Sequence, residues 1–142
     1  MSGKNYIDVE MLKRNTVYSG VDYLKEDSQV IKFFWQMFEE VDQADKKDLV
    51  QFMWGQKRLP PTDEDFKRNN IRLLIKPDQA TRKHKHDEAL PKADTCFFNF
   101  TLPNYSSLKA MKLKVFKAIE LDCVTMNAEE VNHQGDRLSE EE

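Results

Sequence analysis

From Ser28 onward the apolar positions fall into helical step. Val30, Phe34, Met37, Phe38 and Val41 share one face, and Ile31 and Trp35 widen the stripe. This pattern predicts an amphipathic helix beginning at a cap on Asp27 or Ser28. After Asp42 the period returns with Leu49, Val50, Phe52, Met53 and Trp54, and Gly55 ends this second helix as a C-terminal cap. The stretch GQKRLPPTDED then carries a proline pair that cannot continue a helix. Beyond it IRLLIKP (71–77) reads as a strand and DQATRKHKHDE (78–88) as a polar loop. CFFNFTL (96–102) reads as a second strand, with Phe98, Phe100 and Leu102 on one face. Ser106 or Ser107 caps a last helix in which Leu108, Met111, Val115 and Ile119 recur at threes and fours, with Phe116 alongside.

The two ends are plainer. Residues 1–24 hold few apolar anchors: Tyr6–Val9 is a short extended candidate, and Gly20, after Ser19, interrupts the segment as a hinge. Past about Met126 the chain turns polar and acidic, which predicts a mobile tail over 127–142. The order helix, helix, strand, loop, strand, helix, with no internal repeat, predicts a small α+β domain in which helices cover a short sheet.

Composition sharpens this picture mainly by exclusion. At 142 residues, 39% hydrophobic and 11% aromatic, the chain has material for a real core and reads as one domain, or one domain plus an appendage. A net charge of −3 with 33% charged residues favours neither sign and argues against a nucleic-acid surface. The apolar runs are too short for a bilayer, and MSGKNYIDVE lacks an apolar segment behind a basic one. Neither membrane nor export is expected. A core of this size needs no staple, so Cys96 and Cys123 read as free thiols in a reducing, cytoplasmic or nuclear compartment. His84 and His86, with Asp87, stand among lysines and an arginine that repel a dication, so no metal site and no cofactor is expected there. Trp35 and Trp54 read as core, and Lys112, Lys114 and Lys117 as the wet side of the last helix.

The chemistry concentrates in residues 90–107, LPKADTCFFNFTLPNYSS. Cys96 lies between a Leu-Pro turn and an apolar run that closes on a second Leu-Pro. A free thiol titrates near ~8.5, so only a few per cent is thiolate at neutral pH. Asp94, if close, opposes thiolate formation, so strong activation of the protease type is not written locally. Thiol-to-thioester exchange makes no such demand. One thiolate displaces another of similar basicity, and alignment matters more than acidity.

The segment resembles the catalytic stretch of the HECT-type ubiquitin ligases: Leu-Pro, a variable spacer, Thr-Cys-Phe, an apolar strand, Leu-Pro and Tyr. Here those positions are Leu90, Pro91, Thr95, Cys96, Phe97, Leu102, Pro103 and Tyr105. FMWGQKRLPP (52–61) is similar to the family's Phe-x-x-Gly-x-x-Arg-Leu-Pro element through Phe52, Gly55, Arg58, Leu59 and Pro60. IDVEMLKRNTVY (7–18) resembles the end of the family's larger N-terminal lobe, and VIKFFW (30–35) the first helix of its smaller C-terminal lobe. Trp54-Gly55 and the doubled Phe97-Phe98 lean toward the large HERC-like subgroup.

The resemblance implies a HECT C-lobe fold with 1–18 as the end of the N-lobe, 19–24 as the interlobe hinge around Gly20, 25–126 as the C-lobe and 127–142 as the acidic tail. It implies that Cys96 accepts ubiquitin as a thioester from a ubiquitin-conjugating enzyme and passes it to a lysine of a protein substrate. Thr95 and Phe97 would frame the thiol, Leu90 and Pro91 would fix the preceding loop, and a chain without the larger lobe would show weak ligase activity by itself. Two positions depart from the family pattern. Asp94 stands where His is common, and no aromatic follows Phe116, with Leu138 and Glu140 to Glu142 in place of a terminal Phe. Of these, Leu138 is the poor substitute for the Phe, while Asp94 and Glu140 to Glu142 are candidate carboxylates for taking the attacking lysine's proton. Both departures keep a second reading open: a module that holds ubiquitin or a partner non-covalently, with Cys96 inert.

Overall fold

The computed structural model describes residues 6–133, with side chains as far as Cys123. Five α-helices are present among these residues: α1 (Val9–Arg14), α2 (Gln29–Glu40), α3 (Gln43–Trp54), α4 (Asp63–Arg68) and α5 (Leu108–His133). Four strands, β1 (Thr16–Tyr18), β2 (Leu73–Pro77), β3 (Lys92–Asp94) and β4 (Asn99–Leu102), form one mixed sheet in the order β1-β2-β4-β3. β1, β2 and β4 run parallel, and β3 is antiparallel to β4. The α+β architecture agrees with the sequence pattern.

The helix ends follow local chemistry. Asp42 accepts the Asp45 N–H at 2.9 Å and starts α3, while Gly55 ends it at φ 86° and donates to the Gln51 carbonyl at 2.8 Å. A left-handed residue at this place suits glycine, which has no Cβ to collide with the next carbonyl. α2 begins after Ser28, but the Ser28 hydroxyl does not cap it; it accepts the Lys25 N–H at 2.9 Å instead and holds the entering turn. Lys46 is buried and donates to the carbonyls of Val41 and Glu39 that follow and end α2. α4 was hidden behind the proline pair. Thr62 accepts the Asp65 N–H at 3.1 Å, and Asp63, Glu64 and Asp65 put negative charge on the first turn, where the helix dipole favours it.

The core lies between the sheet and the helices. α2 contributes Val30, Ile31, Phe34, Trp35, Met37 and Phe38; α3 contributes Leu49, Val50 and Met53; α5 contributes Met111, Val115 and Ile119. Leu73, Ile75, Phe100 and Leu102 cover this core from the sheet. The rings interlock, with Phe34 5.6 Å and Phe52 6.3 Å from Phe100 between centroids.

The N-terminal segment departs from expectation. Tyr6–Val9 is not a strand; Asp8 accepts the Met11 N–H at 3.1 Å and opens α1. Ile7, Val9, Met11 and Leu12 are buried in the common core, Leu12 completely. β1 pairs with β2 from Thr16↔Leu73 to Tyr18↔Ile75, and Ser19 extends that pairing by donating to the Ile75 carbonyl at 3.1 Å. Arg14 bridges to Asp63 at 3.0 Å. α1 and β1 thus share the core and the sheet with the rest of the described residues. Gly20, expected as the hinge, is left-handed at φ 78° and donates to the Leu24 carbonyl at 3.0 Å, closing a turn above buried Leu24. At the other end α5 continues through His133, beyond the polar switch near Met126, and 134–142 of the expected tail lie outside the described residues.

Candidate active site

β3 and β4 form a hairpin whose last pair is Asp94↔Asn99, which leaves Thr95–Phe98 as its turn. The expected strand over 96–102 thus begins only at Asn99, and Cys96 sits in the turn with its side chain exposed. Asp94 builds that turn. Its Oδ1 accepts the Cys96 N–H at 3.2 Å and its carbonyl accepts the Phe97 N–H at 3.2 Å, the local bonding that makes aspartate a turn residue. The residue in place of the family's common histidine therefore holds the backbone of the cysteine.

The paired phenylalanines separate completely. Phe97 is 71% exposed, whereas Phe98 is 1% exposed and packs at a tilt against Trp54 with centroids 4.8 Å apart. Phe98 reaches its socket at φ 55°, a left-handed conformation that costs a side-chain-bearing residue about 1–2 kcal/mol. Burial of a phenylalanine ring returns about 2–3 kcal/mol, enough to hold it there. The Phe98 carbonyl also accepts the Leu74 N–H at 3.0 Å and fastens the turn to β2. On its other side the turn meets the end of α3, where a Cβ placed on Gly55 would lie 3.3 Å from the Thr95 Cβ. The two motifs, Phe52 to Pro60 and Thr95 to Phe97, are thus the two walls of one corner.

The approach to Cys96 is fixed by polar contacts that the sequence did not reveal. The segment expected as a loop over 78–88 contains a 3-10 turn, Lys83–Glu88, with His86 buried. His86 Nδ1 accepts the Asn104 N–H at 2.7 Å, so its Nε2–H donates to the Thr81 carbonyl at 3.1 Å. Tyr105, also buried, donates to the Ala89 carbonyl at 2.6 Å, immediately before Leu90 and Pro91. Asp87 accepts both the N–H and the hydroxyl of Ser106. The two Leu-Pro elements are in this way laced together. Leu90 is half-buried and Pro91 buried, so they anchor the start of β3 and do not line the thiol.

Charges in this lacing are shifted in ways the contacts explain. Burial alone would raise the Asp78 carboxyl, but bonds from Thr81 and the Ala80 N–H, with His86 nearby, outweigh it and leave the group below its ordinary value. Hydrogen bonds from Ser106 lower Asp87. Burial pushes the Tyr23 phenol up to about 12; its oxygen accepts the Asp78 N–H at 2.6 Å and donates to the Leu102 carbonyl at 2.8 Å.

Cys96 lines an open groove of about 450 Å³ with Trp54, Asn70, Arg72, Phe97 and Asn99 among its walls. Trp54, expected in the core, is half-buried and forms part of this surface. Arg72 went unnoticed in the sequence because only the hairpin turn brings it beside the cysteine. Cys123 is exposed on α5 and takes no part here. Among the described residues no three His, Cys, Asp or Glu side chains converge as metal ligands, and no helix is long and apolar enough to cross a membrane.

Comparison with known proteins bears on the same residues. The family profile described as HECT-domain (ubiquitin-transferase) matches residues 1–128. Relatives include the E3 ubiquitin-protein ligase RSP5 of Chaetomium thermophilum, 36% identical over 115 residues, which are 80% of this chain and 13% of that protein. The E3 ubiquitin-protein ligase HUWE1 of Mus musculus is 31% identical over 84% of this chain and 3% of its own length. The E3 ubiquitin-protein ligase HERC2 of Homo sapiens is 28% identical over 82% of this chain and 2% of its own length. The chain spans a small part of each of these ligases. With the profile covering the buried N-terminal segment, the sheet and the cysteine turn alike, the chain belongs to the HECT-domain family.

Proposed function

We propose that this chain is the transfer lobe of a ubiquitin ligase and that Cys96 is its carrier. The observation that carries the reading is an exposed thiol on a turn whose backbone is held by Asp94, Trp54 and β2, in a chain of the HECT-domain family. A ubiquitin-conjugating enzyme presents ubiquitin as a thioester. The Cys96 thiolate attacks the carbonyl carbon, a new C–S bond forms, and the enzyme's thiolate leaves. A neutral lysine amine of a protein substrate then attacks the same carbon. The C–N bond forms, the C–S bond breaks with its electron pair on Cys96 sulfur, and the surplus nitrogen proton passes to water or to the leaving thiolate. Both steps exchange groups with no net oxidation, so they need no cofactor. A fixed turn serves them by alignment, since orientation supplies much of the rate in such transfers. Thr95 and Phe97 flank the sulfur, and Leu90 and Pro91 act at one remove through β3.

The intact ligase, incubated with activating enzyme, conjugating enzyme, ATP and ubiquitin, forms an adduct that reductant removes. Cys96→Ala abolishes that adduct and Cys123→Ala retains it. An undiminished adduct in Cys96→Ala would place the thioester on another cysteine and sink the assignment, whereas ubiquitin binding with no adduct in the parent would leave a non-covalent module with Cys96 inert.

A further inference from the structure

One polar side chain of the β3–β4 hairpin is left without a hydrogen-bond partner among the described residues: the carboxamide of Asn99. Cys96 lies in the turn of this hairpin, and Asp94↔Asn99 is the pair that closes it, so these two side chains stand on one face of the sheet. Phe100, the next residue, is buried on the opposite, core-facing side. Asn99 is half-buried and lines the same groove as Cys96. The other amides of that groove differ. Asn69 donates to the Asp65 carbonyl at 3.0 Å, and Asn70 is exposed just after α4, on a separate stretch of chain. Of the three, Asn99 is the one built into the element that carries the sulfur.

We propose, on the reading of Cys96 as ubiquitin carrier, that Asn99 is a catalytic residue whose Nδ2–H donates to the thioester carbonyl oxygen as that oxygen becomes an anion. When the Cys96 thiolate attacks, the carbonyl π pair moves onto oxygen. When the tetrahedral carbon collapses, that pair re-forms the carbonyl and the departing thiolate leaves with the C–S pair. The same anion forms when an amine attacks the Cys96 thioester. A neutral amide suits both steps, because it binds the charge without exchanging a proton. The groups around the sulfur leave this anion in need of a donor. Asp94 is exposed beside it and opposes a second negative charge, and its Oδ1 already occupies the Cys96 N–H. The Phe97 N–H is taken by the Asp94 carbonyl. Arg72, in the same groove, offsets Asp94 only from an exposed position where water and salt screen it.

The test compares two reactions of Cys96 in this chain carrying Cys123→Ser. An S-aryl thioester of acetyl-glycylglycine acylates the thiol through the tetrahedral anion. Iodoacetamide alkylates it by direct displacement of iodide, with no such anion. The ratio of acylation to alkylation is the readout, since a disturbed turn or a less reactive thiol moves both rates together. A donor lost from a water-excluded site costs about 10²–10³ in rate; in this open groove the ratio should fall about tenfold in Asn99→Ala. Asn99→Asp, with the same shape and no proton to donate at neutral pH, should lower it at least as far. A ratio within about twofold of the parent in both variants, whether from unchanged rates or from equal losses, overturns the proposal. In the intact ligase both variants should also load ubiquitin slowly from the conjugating enzyme. A parent ligase that loads Cys96 normally while the ratio ignores Asn99 defeats the donor alone. A parent that never loads Cys96 defeats the carrier and the donor together.

Discussion

Gly55 and Gly20 make a controlled pair for testing whether the end of α3 supports the cysteine turn. Both are left-handed, at φ 86° and 78°. Alanine at either place incurs a backbone penalty of about 1 kcal/mol and, equally at both, gains a few tenths by restricting the unfolded chain. The surroundings differ. A Cβ on Gly20 meets nothing within 4 Å, but one on Gly55 lies 3.3 Å from the Thr95 Cβ, so Thr95 must yield by a few tenths of an ångström. In a turn tied at Asp94 and Phe98, that displacement costs about another 1 kcal/mol and reaches the adjoining Cys96. Urea unfolding should place Gly55→Ala about 2 kcal/mol below the parent and Gly20→Ala about 1 kcal/mol below it, a gap of about 0.7 M in midpoint for a slope near 1.5 kcal/mol per M. In the intact ligase Gly55→Ala should slow adduct formation at Cys96, and Gly20→Ala should leave it alone. Equal losses of stability with unchanged Cys96 chemistry would refute the idea that α3 buttresses the turn.

Further outcomes follow from the same contacts. Leu12→Ala should destabilise the protein by about 2–5 kcal/mol in urea unfolding, because Leu12 is fully buried; a loss under 1 kcal/mol would mean that α1 is not part of this core. Asp94→Asn keeps an oxygen to accept the Cys96 N–H, whereas Asp94→Ala loses a bond worth about 0.5–1.5 kcal/mol, so adduct formation should fall more in the alanine variant. Equal impairment of the two would show that the charge matters and the turn bond does not. Asp78 and Asp87 bind protons less readily folded than unfolded, so their contribution to stability is complete above about pH 4 and is lost as pH falls through their lowered folded values. Acid titration followed by circular dichroism should show this loss shrinking in Asp87→Asn.

The sequence was most legible where one period ran long. The face of α2 from Val30 to Phe38 and the stripe of Met111, Val115 and Ile119 are buried as their spacing required, with Leu108 half-buried, and α3 stops at its glycine. Short elements were less legible because tertiary partners make them. β3 has three residues and exists through its pairing with β4. α1 has six residues, too few for periodicity to announce, and its apolar positions become core through packing with the rest of the fold. Cys96 was legible through its flanking motif, whereas Arg72 and Trp54 became neighbours of the sulfur only through the fold. His86 was misread for a related reason. Its cationic neighbours suggested a solvated loop, but one buried ring with a donor and an acceptor satisfies two backbone groups at once.

The doubled phenylalanine shows how an exposed thiol and a fixed backbone coexist. Regular alternation would send consecutive residues to opposite faces of a strand, yet at the turn the left-handed Phe98 buries one ring against Trp54 while Phe97 stays in water. The strain at Phe98 is sustained because its ring, its carbonyl on β2 and the Gly55–Thr95 contact all fix the same few residues. A turn tied in so many directions has little freedom to bend. On the proposed carrier role of Cys96, partners therefore come to a sulfur whose immediate backbone is already set.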